Sequence, residues 1–182
     1  MRSQCCGRED IWVFGYASLI WRPEFVAAEH RTGLVRGWHR ALRMRSGAHR
    51  GTPQQPGLVF ALLPGGACRG MAYRLPRERV DVELERLWAR EMVNGVYDPR
   101  WLPCRTPEGT VQALAFTLSR RSEAYMGRLA DEQLLHILRH ARGHYGTTLH
   151  YLASTAHALR ERGMCDREVE RLMALASEHG LL

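Results

Sequence analysis

The hydrophobic periodicity of the chain divides it into two halves, and that division limits what it can fold into. From Ile11 to Leu75 apolar residues recur at strand spacing, and from Asp131 onward at helical spacing. "IWVFGY" predicts a first strand. "GLVRGWHRALRM" alternates, with Leu34, Trp38, Leu42 and Met44 on one parity. "SGAHRGTPQQPG" has turn chemistry, and "LVFALLP" and "CRGMAYRLP" read as two strands joined by a tight "PGG" turn. A helix is predicted over 77–93, then a hairpin of "WLPCRT" and "VQALAFTLS" across "PEGT". Helices follow over 131–141, 147–162 and 166–179, with Gly163 and Gly180 as natural stops. Strands with one central helix, then terminal helices, predict an α+β domain. Short, glycine-bounded strands suit a curved or barrel-like sheet, though the pattern alone leaves closure open. A chain of 182 residues predicts a single domain over 11–182 behind a flexible tail at 1–10.

No stretch approaches the length of a membrane span, so no membrane partner is expected. "MRSQCCGRED" carries no apolar segment of the exported kind, and the expectation is a cytoplasmic protein. The net charge of +7 comes with 26 basic residues, every one an arginine. That excludes Schiff-base chemistry, a lysine general base and a P-loop lysine. Arginine binds carboxylates and phosphates well, so acidic small molecules and nucleic acid both stay open, beside a mere compositional bias.

The five cysteines, Cys5, Cys6, Cys68, Cys104 and Cys165, are odd in number and lack C-x-x-C spacing. Neither a disulfide framework nor a zinc site is expected. His136, His140 and His144 would share one face of an unbroken helix. Gly143 interrupts it and no carboxylate joins them, so a solvated face is expected and no metal site.

In "RERVDVELERLWAREMV" the apolar stripe is Val80, Leu84, Leu87, Trp88 and Met92. At ~100° per residue Glu91 falls in the middle of that stripe, and Glu78, Asp81, Glu83 and Glu85 lie off it or at its margin. A lone carboxylate aimed at the core must be paired, hydrogen-bonded or protonated. One reading is a buried ion pair with an arginine; the other is a carboxyl whose raised pKa suits general acid–base work. "VFGYASLIW" poses a second question, because a hydrophobic run turns small and polar at Ala17 and Ser18. An ordinary tight turn would do this. So would a loop that offers backbone N–H groups and the Ser18 hydroxyl to a carboxylate. The "SGAHRGTPQQPG" loop is either flexible or a lid that brings His49 and Arg50 to an anion.

Together these segments resemble the ChaC family of glutathione-specific γ-glutamylcyclotransferases. The family's F-G-Y-G-S-L-I-W is matched by "FGYASLIW" at Phe14–Trp21. "HRGTP" follows at His49–Pro53, "PGLV" from Pro56, "PGGACRG" from Pro64, "AREM" at Ala89–Met92, and a Y-G-x-T segment in "GHYGTTLHYL". The matching segments run in the same order from about Ile11 to Arg162. The resemblance implies a small, mostly closed mixed β-barrel flanked by helices. It implies breakdown of glutathione to 5-oxoproline and cysteinylglycine without cofactor or metal. Glu91 would be the catalytic acid/base, and Tyr16, Ala17, Ser18 and Leu19 would hold the γ-glutamyl group. Arg50 and Tyr145 are further candidate substrate-binding residues. The family glycine is Ala17 here, and a negative φ is expected there, so the added methyl should change little beyond local width.

Two alternatives stand beside this reading. One is a cyclotransferase for other γ-glutamyl amines or dipeptides. The other is an arginine-rich nucleic-acid-binding module using Arg31, Arg36, Arg40, Arg43, Arg45 and Arg50. No recognised stacking motif accompanies those arginines, so no nucleic-acid partner is expected.

Overall fold

Strands Trp12–Gly15 (β1), Glu29–Ser46 (β2), Gly57–Arg74 (β3), Asp98–Thr106 (β4) and Gly109–Thr117 (β5) close into a barrel in the order β1-β3-β2-β4-β5. The structure is a computed structural model and describes residues 10–93 and 95–182. Cys5, Cys6 and all but the last residue of the expected tail lie outside the described residues. β1 closes the barrel. It pairs antiparallel with β3, from Trp12↔Arg74 to Gly15↔Met71, and parallel with β5 at Trp12↔Ala113 and Val13↔Leu114. Both edges of this short buried strand are therefore satisfied. The expected α+β class and barrel with helices are what the chain forms.

The helices are Ser18–Trp21 (α1), Val80–Glu91 (α2), Asp131–His140 (α3), Thr148–Glu161 (α4) and Arg167–Glu178 (α5). α1 is a single turn that strand periodicity hid. A two-stranded ladder of Arg142–Gly143 (β6) and Gly146–Thr147 (β7) lies between α3 and α4.

The described residues fall into two compact units that interleave along the chain. One comprises residues up to His39 with Pro64–Thr117, and the other Arg40–Leu63 with Leu118–Leu182. In the first unit Val13, Phe14, Val35, Ala72, Leu87, Leu114 and Phe116 are buried. α2 meets the barrel where the Trp88 and Phe116 rings stand edge to face, with centroids 6.0 Å apart. The β4–β5 hairpin turns at Thr106↔Gly109, as "PEGT" predicted. In the second unit Leu58, Phe60, Leu62, Leu138, Leu152 and Leu172 are buried. Asp166 caps α5 by accepting from the Glu168 and Val169 N–H groups, and its other oxygen takes the buried Arg40 guanidinium at 2.9 Å.

Two strand expectations need correction. β2 does not keep one parity. Gly33 and Val35 are buried before Gly37, and Arg40, Leu42, Met44 and Ser46 after it. Gly37 has φ +80°, a conformation that favours glycine, and the inward face shifts by one residue across it. The "PGG" segment is not a hairpin. β3 runs continuously through it, bending at Gly65 and Gly66, whose φ values of +103° and +74° other residues rarely adopt. The Gly65 carbonyl accepts from His39 Nδ1 at 2.9 Å, so β2 and β3 are tied at the bend.

Candidate active site

The break after β1 comes from close packing. A Cβ on Gly15 would sit 2.9 Å from the Leu19 Cβ, and one on Gly70 would overlap the Gly15 carbonyl oxygen. Only glycine lets β3 pass this close to the end of β1. The chain then folds into α1. The Ile20 N–H donates to the Ala17 carbonyl (2.8 Å) and the Arg22 N–H to the Ser18 carbonyl (2.7 Å). The first N–H groups of such a turn have no carbonyl partner within the helix.

Each predicted loop residue has a distinct place. Tyr16 is buried and its hydroxyl donates to the Phe116 carbonyl at 2.9 Å, so its side chain anchors the turn. Ala17 is buried with φ −144°, so the alanine needs no left-handed backbone. The Leu19 carbonyl accepts from the Tyr73 hydroxyl at 2.9 Å. The Ser18 hydroxyl accepts from Arg90 Nη2 at 3.0 Å.

Glu91 is the last residue of α2, with its side chain 15% exposed. Burial pushes its carboxyl above the ordinary range. The Arg90 guanidinium beside it opposes that shift, and the Glu24 carboxylate adds to it. Arg90 Nε stands 3.0 Å from Glu91 Oε1. The same guanidinium reaches the Arg22 carbonyl, the Pro23 carbonyl at 3.2 Å and Glu24 Oε2 at 2.9 Å. Arg90 thus ties Glu91 to Ser18 and the segment after it. Sequence reasoning missed Arg90. Its position next to Glu91 in "AREM" was the available signal, but its partners lie in a segment whose path only the folded chain displays.

The helical wheel also misplaced a carboxylate. Glu83, put off the stripe or at its margin, is fully buried. It accepts from the Val26 N–H at 3.1 Å and pairs with Arg79 at 2.8 Å and Arg86 at 3.4 Å. Trp88, put in the stripe, is 36% exposed. Both carboxylates pair with arginine: Glu83 fully buried between Arg79 and Arg86, and Glu91, largely buried, with Arg90.

Arg50 and Tyr145 lie in the second unit. Arg50 is buried: its Nη1 donates to the Tyr145 carbonyl at 2.5 Å, and its guanidinium carbon lies 5.1 Å from the Tyr151 ring centre. Its backbone N–H donates to Ser46 Oγ at 3.0 Å. Tyr145 is half-exposed and its ring lies against those of His49 and His144, at 5.0 and 5.1 Å. Arg50 thus organises the loop it sits on. Among the arginines named for nucleic acid, Arg31 pairs with Glu29 and Glu108, and Arg40 with Asp166. α3 ends at His140, so the three histidines do not share a helix face. Among the described residues no group of three or more potential ligands could hold a metal.

A family model described as ChaC-like protein matches residues 11–179. The glutathione-specific γ-glutamylcyclotransferase of Escherichia coli K12 is 40% identical over 164 residues, covering 90% of this chain and 71% of that protein. Human glutathione-specific γ-glutamylcyclotransferase 1 is 33% identical over 179 residues, covering 96% of this chain and 80% of its own. In fold, the chain is similar to a crystal structure of a glutathione-specific γ-glutamyl cyclotransferase from yeast. The TM-score is 0.85 at 20% identity, over 94% of this chain and 97% of the other.

Proposed function

Because this chain belongs to the ChaC-like family, we propose that it degrades glutathione by intramolecular cyclisation, releasing 5-oxoproline and cysteinylglycine. The observation that carries this reading is Glu91, a largely buried carboxyl whose proton affinity is raised and which Arg90 ties to the turn at Ser18.

The chemistry needs one proton-handling group. The substrate's α-amine and γ-carbonyl are on one molecule, so the site must fold the chain rather than gather reactants. At neutral pH the amine is an ammonium. Glu91 takes a proton from it, and the freed nitrogen attacks the γ-carbonyl carbon to close a five-membered ring. The bond from that carbon to the cysteine nitrogen then breaks, with Glu91 returning its proton to the departing nitrogen. The ring nitrogen loses one more proton and the product amine takes one up from solvent. No water is consumed, and no cofactor or metal takes part.

The main chain at Ala17, Ser18 and Leu19 receives the carboxylate of the γ-glutamyl group, through N–H groups that a helix start leaves without internal partners. Tyr16 supports that turn from below. Arg50 and Tyr145 hold together a loop of the second unit. The cytoplasm is the compartment in this reading. Among the described residues Cys104 and Cys165 are free thiols, as suits a reducing environment. No helix among the described residues is long and apolar enough to cross a membrane.

Incubating the protein with reduced glutathione tests the reading. 5-oxoproline and cysteinylglycine should appear in equal amounts. Unchanged glutathione, or free glutamate in place of 5-oxoproline, would overturn it.

A further inference from the structure

Arg90 is one cation placed between two carboxylates. Its Nη1 lies 2.9 Å from Glu24 Oε2 and its Nε 3.0 Å from Glu91 Oε1. Its remaining contacts go to one stretch of chain: the Ser18 hydroxyl and the carbonyls of Arg22 and Pro23. Five partners from two elements meet a side chain only 20% exposed. A planar guanidinium with donors in a fixed fork can serve them together, and an ammonium cannot. Glu24 has its own oddity. Its φ is +58°, the one positive value at a non-glycine among the described residues. Surrounding contacts must hold such a backbone, and here Glu24 is gripped by Arg90 and by Arg22 at 2.6 Å.

We infer that Arg90 is a positioning residue, shared between Glu24 and Glu91, that holds the Ser18–Glu24 segment against the last turn of α2 and fixes the Glu91 carboxyl there. The inference rests on the proposed role of Glu91 as the proton-handling group, and adds the device that aims and tunes it. The charged groups facing Glu91 are Arg90 on its own helix and Glu24 on the adjoining segment, with Arg22 behind Glu24. Glu24 draws off part of the Arg90 charge and is itself a like charge to Glu91. Both effects favour a protonated Glu91, while Arg90 favours its ionised form. A carboxyl that must both take and return a proton works best between those pulls.

The test uses the full chain with Arg90→Met, Arg90→Lys and Glu24→Gln. The titration of Glu91 is followed by carboxyl-carbon NMR, its signal identified by loss in Glu91→Gln. kcat and KM for reduced glutathione are measured against pH, and thermal melts are recorded. Arg90→Met should move the Glu91 midpoint up and Glu24→Gln should move it down. Arg90→Met should lower kcat on the order of a hundredfold, as expected for a misplaced catalytic group, with a smaller change in KM. Arg90→Lys should bring the midpoint back towards wild type without restoring kcat, because charge returns and the fork does not. Midpoints that stay put, or that move the same way in Arg90→Met and Glu24→Gln, would overturn the inference; so would wild-type kcat in Arg90→Met. If Arg90→Met fails to fold, Arg90→Lys and Glu24→Gln carry the same opposed tests. If the wild type releases no 5-oxoproline, the proposed function fails, and the NMR midpoints still decide whether Arg90 is shared.

Discussion

Glu83 and Glu91 lie on one face of α2, two turns apart with Leu87 between them, and their surroundings are opposite in kind. Glu83 is fully enclosed and held by Arg79, Arg86 and the Val26 N–H. Glu91 keeps some exposure and pairs with Arg90, its neighbour on the same helix. The first arrangement satisfies a carboxylate for structural ends. The second leaves one able to exchange a proton.

Substitution should separate the two. Glu83→Ala strands the Val26 N–H and should cost roughly 1–3 kcal/mol of stability, read from a denaturant melt. Activity measured below the melting transition should survive. Glu91→Gln should lose at least about a hundredfold in kcat, the usual contribution of a general acid–base, with its circular dichroism unchanged. Near-wild-type turnover in a folded Glu91→Gln protein would remove Glu91 from the mechanism.

The stability of the protein should depend on pH through Glu91 in an unusual direction. Its pKa is raised in the folded chain by burial, so at pH values between the unfolded and folded pKa the folded chain holds a proton that the unfolded chain has released. The stability that comes with that proton is fully present below the unfolded pKa, and is lost as pH rises through the folded one. Gln has no such proton to lose. The Tm difference between Glu91→Gln and wild type should therefore be small in acid and become more positive as pH rises. A difference that shrinks as pH rises would give the shift the wrong sign.

The attacking group in the proposed reaction is the substrate's own amine. N-acetylglutathione has no lone pair basic enough to close the ring, so it should not be cleaved, though its carboxylates leave it a weak competitive inhibitor. Cysteinylglycine released from it would point to ordinary hydrolysis.

Cys68 and Cys104 should resist thiol reagents in the native protein. Both are buried, and burial together with the neighbouring Cys68 pushes the Cys104 thiol up to about 12. A thiol that holds its proton so firmly is a poor nucleophile. Cys165 is exposed and should react. Peptide mapping after brief alkylation reads this directly; label on Cys104 without denaturant contradicts it.

Much of this was legible in the sequence, and what was not has identifiable causes. The terminal helices lie within a residue or so of their predicted bounds because Gly163 and Gly180 stop them and their apolar spacing is clean. Periodicity placed Glu91 on the inward face of its helix, yet overlooked Glu83 on the same face. A wheel drawn from apolar residues cannot see a carboxylate whose enclosure is justified by the distant Val26 N–H. Parity along β2 misled because one residue, Gly37, resets it. Arg90 escaped notice because five short contacts give it its place, and four of their partners lie about seventy residues away in sequence.

The interleaving of the two units has a consequence for synthesis. A chain emerging from the ribosome supplies the last strand of the first unit at Thr117, before any residue of 118–182 exists. Residues 40–63 have by then been made, but they belong to a unit whose larger part is still to come. Domains fold as their segments become available, N-terminal parts first. The nascent barrel must therefore form while the distal ends of its two longest strands, Arg40–Ser46 and Gly57–Leu63, wait for their companions.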